Sequence, residues 1–228
     1  MNLLNPYRFA TAASDPYWAN VSALLHMQGA NNGTTFTDSS SNALTCTALG
    51  NAKTTTADFK WGNSCGIFDG STDYLTIAAS AGFNFGTGNW TIEMWINWAS
   101  VSGQQTLIDI GNGSTNLRID SGNTVYSLDD GGVLVINAAS ISTLSAGQWY
   151  HVALVRNSTA RTLYIDGTSV ASGTRSGSSG SSSVTTKVGA RNDGALAFNG
   201  KMQDLRVTKA VARYTANFTA PTAQFPDA

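Results

Sequence analysis

Residues 147–173 read GQWYHVALVRNSTARTLYIDGTSVASG. In the first half, Tyr150, Val152 and Leu154 fall on one side of an extended chain, and Trp149, His151, Ala153 and Val155 fall on the other. Side chains alternate across a strand, so a strand apolar on both sides belongs inside a packed layer. Thr162 to Ile165 and Thr168 to Ala171 follow, separated by Asp166-Gly167. An Asp-Gly pair between two β-rich runs predicts a type I′ hairpin, because both central residues must tolerate positive φ. A β-branched residue at Gly167 is then expected to cost about 1–2 kcal/mol.

Working outward, Asn89 to Trp98 is the second strong strand. Ile92, Met94, Ile96 and Trp98 share one face; Thr91, Glu93, Trp95 and Asn97 share the other. Val21 to Met27, Leu44 to Ala48, Cys65 to Phe68, Leu107 to Ile110, Asn116 to Asp120, Thr124 to Leu128, Val133 to Asn137 and Val184 to Val188 are further strand candidates. Ala195 to Val207 supplies the last strands. Their short, regular spacing, bounded by Gly, Asn and Ser, predicts an all-β sandwich rather than α/β alternation. Gly173 to Ser183 reads as a loop inside one domain, and Val211 to Tyr214 as a short turn of helix. Pro221 and Pro226 end the chain in extended form. No repeat of solenoid or propeller length is present.

The 228 residues suit one large all-β domain as well as two small ones. Only 12% are charged, 14 acidic against 13 basic, which lacks the basic excess of a nucleic-acid binder. No apolar run reaches the length of a membrane helix, so no membrane insertion is expected. The start, Met1 to Ala10, has neither a basic n-region nor an apolar h-region and reads as no secretory signal. Residues 1–13 read as an N-terminal arm and 14–228 as the sandwich domain. A disordered leader is one reading of residues 1–13; the apolar Leu3, Leu4, Tyr7 and Phe9 favour the other, an extended arm that docks on a neighbouring subunit.

The strands above carry a resemblance. Trp149 to Arg156 followed by Leu163 to Gly167 resembles the laminin-G-like branch of the concanavalin A-like sandwiches, most closely the versions found in bacteriophage structural proteins. Leu24-Leu25-His26, Phe68-Asp69-Gly70 with Asp73-Tyr74-Leu75, Trp90 to Trp95 and Asp204 to Lys209 fit the same family in the same order. The phage character rests on Ala212-Arg213-Tyr214-Thr215 and the Pro-punctuated ending. The resemblance implies a two-sheet antiparallel jelly roll on a virion surface, made in the host cytoplasm. It would act as a head decoration, head fibre or tail-associated adhesion module. The partners it implies are other virion proteins, further copies of the chain in a homo-oligomer, and host-surface glycans. A soluble carbohydrate-binding lectin is the alternative reading, and a glycoside hydrolase the third.

Hydrolysis needs two carboxylates on one face. The strand in question carries only Glu93, and Asp129-Asp130, being adjacent, would point to opposite faces. No nucleophile elbow is present, and His151 falls where the strand would bury it. An enzyme is therefore not expected. Many relatives hold calcium, but Gln28 and Gln203 stand where phage-type relatives carry Asp, so a bound calcium is not favoured and no cofactor is expected. Asp38, Asp109, Asp120, Asp129, Asp130 and Asp193 read as turn residues. Cys46 and Cys65 form no zinc motif; they are two buried thiols or one disulfide. For a glycan, Trp61 is the tryptophan expected to be exposed, with Asp129, Asp130, Arg191, Asn192 and Asp193 as polar partners in rim loops.

Overall fold

The computed structural model describes residues 14–100, 102–111, 113, 115–120, 124–129, 133–140 and 144–228. The arm residues Leu3, Leu4, Tyr7 and Phe9 lie outside them, as does Asp130. In chain order the strands are β1 (Val21–Leu25), β2 (Cys46–Leu49), β3 (Lys53–Thr55), β4 (Cys65–Asp69), β5 (Tyr74–Ile77), β6 (Asn84–Gly86) and β7 (Trp90–Trp98). Then come β8 (Gln105–Ile110), β9 (Thr115–Asp120), β10 (Thr124–Asp129), β11 (Val133–Ser140), β12 (Trp149–Asn157) and β13 (Ala160–Ile165). The last are β14 (Thr168–Thr174), β15 (Ser179–Gly180), β16 (Thr186–Val188) and β17 (Asn199–Lys209).

Most of them build two antiparallel sheets, and β6 pairs with β15 in a separate two-stranded ribbon. Sheet A runs β14-β13-β12-β7-β17-β4-β3, with β1 also paired to β17. Sheet B runs β11-β10-β9-β8-β16-β5-β2. Alternation fills the space between them. Ile92, Met94, Ile96 and Trp98 of β7 and Val152 and Leu154 of β12 meet Leu75, Ile77, Ile108, Ile110, Leu117, Ile119 and Val188 of sheet B. Among the described residues no helix is long and apolar enough to cross a membrane.

The Asp166-Gly167 hairpin forms as expected, with φ of 48° and 78°. Its position is fixed by the Asp166 carboxylate, which accepts the His151 N–H at 2.8 Å. The strand ends shift by a few residues from the sequence reading. The expected strand over Val21 to Met27 ends at Leu25, because Met27 takes φ of 57°. The short polar strand β3 and the strand β5 carry too little alternation to be read in advance.

Val211 to Tyr214 is not helical. Residues 211–228 instead form an extended strap over the outer face of sheet A. Tyr214 and Phe218 stack with ring centroids 3.5 Å apart and pack on Ala153, Val155 and Tyr164. Phe225 packs on Val21 and Leu24. The strap explains why β12 is apolar on both faces: one covers the core and the other carries the strap. Its end is tied down by hydrogen bonds, among them His26 Nε2 to Asp227 Oδ1 at 2.7 Å. Phe225 N–H donates to Asp204 Oδ2 at 2.8 Å, Gln28 Nε2 to Gln224 Oε1 at 2.9 Å, and Asp15 N–H to the Ala228 carbonyl at 2.7 Å.

Candidate functional site

Glu93, the one acid on its strand, is fully buried beneath the strap. A β-bulge in β17, with Asp204 at φ of 57°, brings Arg206 opposite Glu93 in the ladder. Arg206 donates Nε–H and Nη2–H to Glu93 Oε1 at 3.0 and 2.8 Å. Tyr214 O–H donates to Oε2 at 2.7 Å, and His151 Nε2 lies 3.3 Å from the same oxygen. Asp15 takes Arg206 at 2.9 Å and Arg213 at 2.7 and 3.0 Å. Two carboxylates thus face two guanidiniums, and the cluster balances its charge. Burial pushes the Glu93 carboxyl up, but Arg206, His151 and Arg213 outweigh it and hold it down at about 2. A carboxylate so held, with no access to solvent, cannot act as a general acid. The Arg213-Tyr214 pair that carried the sequence resemblance is the part of the strap that seals this cluster.

Trp61 does not stand free in solvent as expected. It is half-buried, edge-on to Trp95 at 5.7 Å, with Lys60 Nζ 4.0 Å above the Trp95 ring. Gln203 holds this loop: its Oε1 accepts the N–H of Lys60 and Trp61 at 2.8 and 3.1 Å, and its Nε2 donates to the carbonyls of Trp61 and Ser64. An Asp at Gln203 could accept but not donate. The amides of Gln28 and Gln203 therefore serve the loop and the strap. Among the described residues no three His, Cys, Asp or Glu gather as a metal site would require. Cys46 and Cys65 are free thiols.

Next to this loop, Asp58 accepts Trp149 Nε1–H at 3.1 Å, Asn97 Nδ2–H at 3.1 Å and Lys201 Nζ–H at 2.7 Å. The Lys201 bond holds its carboxyl below the usual range against the effect of burial. Asp58, Asn97 and Lys201 line a cleft of about 220 Å³, and among the described residues Asp58 is the one carboxylate lining it.

Arg191, Asn192 and Asp193 lie on the opposite side of the sandwich, in the turn between β16 and β17 over the outer face of sheet B. Trp61 therefore shares no site with them. Asp129 is the last residue of β10. Asp109, expected in a turn, is on β8 and almost wholly buried. Its Oδ1 accepts Gly113 N–H at 2.7 Å, and its Oδ2 accepts Asn192 N–H at 2.9 Å, so one carboxylate pins two turns. Arg191 forks onto Asp193 through Nε and Nη2, which holds the Asp193 carboxyl below its ordinary range.

Strand register places further groups on this face that the sequence reading missed. Lys187 on β16 and Asn116 on β9 both stand opposite Asp109, on either side of it. Thr106 stands opposite Arg118. Lys187 Nζ sits 4.7 Å from the centre of the half-buried Tyr74 ring, beside Gly194. Asn116 is fully buried, yet neither its Oδ1 nor its Nδ2 has a partner. The Thr106 hydroxyl and the Arg118 Nε–H are likewise unpartnered. Burial and then the neighbouring Arg191 charge press the Arg118 pKa down. The face thus presents a half-buried aromatic ring with two long cationic side chains, while Asn116 and Thr106 lie fully beneath the surface. Only its cross-strand pairs, fixed by sheet order, could have revealed it.

A profile of the concanavalin A-like lectin/glucanases superfamily matches residues 69–213. No curated protein sequence matches the chain. Among solved structures, domain 4 of AbnA, an extracellular arabinanase from Geobacillus stearothermophilus in complex with arabinotriose, is similar with a TM-score of 0.64 at 14% identity. The match covers 85% of this chain and 94% of that domain. The binding domain of Paraclostridial Mosquitocidal Protein 1 also gives 0.64 at 14% identity, over 86% of this chain. A botulinum neurotoxin type C structure, whose cell entry depends on interaction with two ganglioside molecules, gives 0.62 at 15% identity over 85% of this chain. The chain spans about half the length of the two toxin structures, with 50% and 49% of them covered.

Proposed function

The chain belongs to the concanavalin A-like lectin/glucanases superfamily, and we propose that it is a non-enzymatic glycan-binding adhesion module displayed on a bacteriophage particle. The observation that carries the glycan reading is the outer face of sheet B. There the half-buried Tyr74 ring carries Lys187 over it, with the half-buried Arg118 two strands away across Asp109. The groups at the surface there are the half-buried Tyr74 ring, an apolar face for a sugar ring, and the Lys187 and Arg118 side chains, which can donate to hydroxyls. Arabinotriose and ganglioside are named with two structures of the same fold, which makes sugar the ligand class to test first. Against hydrolysis stand the sealed Glu93 and the lone Asp58 of the neighbouring cleft.

Virion display rests on the sequence resemblance around Ala212 to Thr215 and on the apolar arm. In this reading Leu3, Leu4, Tyr7 and Phe9 anchor the module to other virion proteins or to further copies of itself. Large aromatic contacts of that kind dominate such interfaces.

The test is a glycan microarray probed with the full chain and with Tyr74→Ala. The proposal expects binding to a restricted set of glycans, a loss of at least tenfold in Tyr74→Ala, and no reducing ends released from the bound glycans. An array without binding, or release of sugar, overturns the reading. Mass spectrometry of purified particles tests the display separately, and absence of the chain from them would remove it.

A further inference from the structure

The outer face of sheet A is covered from one end. Along β7, Thr91 and Glu93 meet the strap, and Trp95 meets Lys60 and Trp61 of the loop of residues 56–64. Asn97, the next residue on this face, begins a row that crosses the sheet. Trp149 of β12 stands opposite Asn97, Asn97 opposite Lys201 of β17, Lys201 opposite Ile67 of β4, and Ile67 opposite Lys53 of β3. Opposed residues share a face, and the chain neighbours Trp98, Met202 and Phe68 point into the core, so the row lies outside. Five strands about 4.8 Å apart make it about 19 Å long. Lys53, Ile67, Lys201 and Trp149 are half-buried, and Asp58 above the row is exposed.

Two hollows follow the row. One is the cleft of about 220 Å³ at Asp58, Asn97 and Lys201. The other, of about 310 Å³, lies at Asn51 and Lys53. Ile67 and Asn199 line both, so the two join into one groove across the strands. Its surface keeps polar capacity. Asp58 accepts one bond each from Trp149, Asn97 and Lys201, and a carboxylate has about four acceptor positions. Lys201 spends one of its ammonium hydrogens on Asp58. An acceptor and a donor thus stand side by side, as two adjacent sugar hydroxyls require: one donates to Asp58, the other accepts from Lys201. Ile67 and the Trp149 ring offer apolar surface for the C–H faces of the rings. The acids of the second hollow serve the protein itself. Asp69 accepts the N–H groups of Ser71, Thr72 and Asp73, and Asp73 those of Asn51 and Asp69. Lys53 and Lys201 offset most of the negative charge, which suits a neutral ligand. The strand backbones below are paired within the sheet, so an extended peptide would find no ladder of backbone partners there.

We propose that this groove is a second glycan site, separate from the face that carries Tyr74, and that it takes internal units of a linear, neutral polysaccharide laid across the strands. Asp58 and Lys201 hold the hydroxyls of one unit, Ile67 and Trp149 pack against its neighbours, and Lys53 reaches the far end. A groove, unlike a pit, admits a chain without needing its terminus. Affinity then grows with chain length until the row is filled.

The experiment is calorimetric titration of the full chain with the hexasaccharide and the disaccharide of four neutral linear polymers: β-1,4-glucan, β-1,3-glucan, β-1,4-mannan and α-1,5-arabinan. Carboxymethyl cellulose is the charged arm, and a peptide array the protein arm. Each is repeated with Lys53→Ala, Asp58→Asn and Tyr74→Ala, whose unfolding midpoints are measured alongside. Lys53 stands at the sheet edge, so its variant reports on the groove even if Asp58→Asn loosens the loop. At least one hexasaccharide should bind about tenfold or more tighter than its disaccharide. Lys53→Ala should weaken the hexasaccharide several-fold and spare the disaccharide, Asp58→Asn should weaken both, and Tyr74→Ala neither. Equal binding of the two lengths overturns the extended groove. Binding lost in Tyr74→Ala but kept in Lys53→Ala and Asp58→Asn puts the chain on sheet B and overturns the second site. Carboxymethyl cellulose binding more tightly than the neutral β-1,4-glucan overturns the neutral ligand. Peptides captured in a Lys53-dependent way, with no hexasaccharide bound, overturn the sugar. If no hexasaccharide binds, the inference falls, whatever the microarray shows for the face around Tyr74.

Discussion

Gly167→Ala and Gly147→Ala form a matched pair that measures how hard the C-terminal strap presses on sheet A. The two glycines have nearly the same backbone, with φ of 78° and 77°. An L side chain in that region costs about 1–2 kcal/mol, and the cost is common to both variants. They differ in what a Cβ would meet. At Gly147 nothing lies within 4 Å. At Gly167 the Phe218 carbonyl oxygen would lie 1.9 Å away. The Phe218 N–H also donates to the Gly167 carbonyl at 2.9 Å, so hairpin and strap meet through backbone on both sides. Relieving the clash must move one backbone, at a cost of about 1–3 kcal/mol by the measure of other overpacked sites. It would also weaken that hydrogen bond, for about 1 kcal/mol more. Gly167→Ala should therefore lose about 3–6 kcal/mol and Gly147→Ala about 1–2 kcal/mol. For a chain of this size, at about 2–4 °C per kcal/mol, the melting temperatures should then differ by roughly 4–16 °C. Thermal melts followed by circular dichroism give the comparison. Equal shifts in the two variants would refute the strap's close seating. The same contact raises the cost of Gly167→Val above the 1–2 kcal/mol that turn geometry alone predicts.

Three further outcomes follow from the buried chemistry. Glu93→Ala should destabilise the fold by about 3–5 kcal/mol in urea unfolding, because it leaves Arg206 and Arg213 with the single carboxylate of Asp15; a loss under 1 kcal/mol would mean the cluster is solvated. His26 is flanked by Asp204 at 2.5 Å and Asp227 at 2.7 Å. Burial opposes its charge, but these two hydrogen bonds outweigh burial and raise its pKa. The stabilisation from His26 is then complete below its unfolded value of about 6.5 and fades as pH rises through the folded value, so the stability gap between the wild type and His26→Gln should narrow with rising pH. A gap that widens with pH would reverse the sign. Burial pushes both cysteine thiols up to about 12, so the native protein should react with a thiol reagent far more slowly than the unfolded chain, which should yield two thiols. Fast labelling of the native protein would contradict this.

The two-sheet architecture was legible because β7 and β12 alternate so cleanly and because Asp166-Gly167 admits few conformations. The strap was not. Val211 to Tyr214 has a composition that a helix could accept, and what holds it extended is the distant Glu93, Ala153 and Tyr164. Trp61 reads as a loop residue beside Lys60 and Gly62, and nothing local reveals that Trp95 and Gln203 will hold it down. The site on sheet B was half legible. Arg191, Asn192 and Asp193 are turn residues by composition. Asn116, Arg118 and Lys187 become their neighbours only once β9, β8 and β16 are known to lie side by side.

Amide hydrogen exchange, with and without the glycan selected on the microarray, tests glycan binding on sheet B most directly. The account predicts added protection in Tyr74–Ile77, Gln105–Ile110, Thr115–Asp120 and residues 186–195, with residues 203–209 under the strap unchanged. Protection confined to the strap, or to the loop around Asp58 and Trp61, would contradict it.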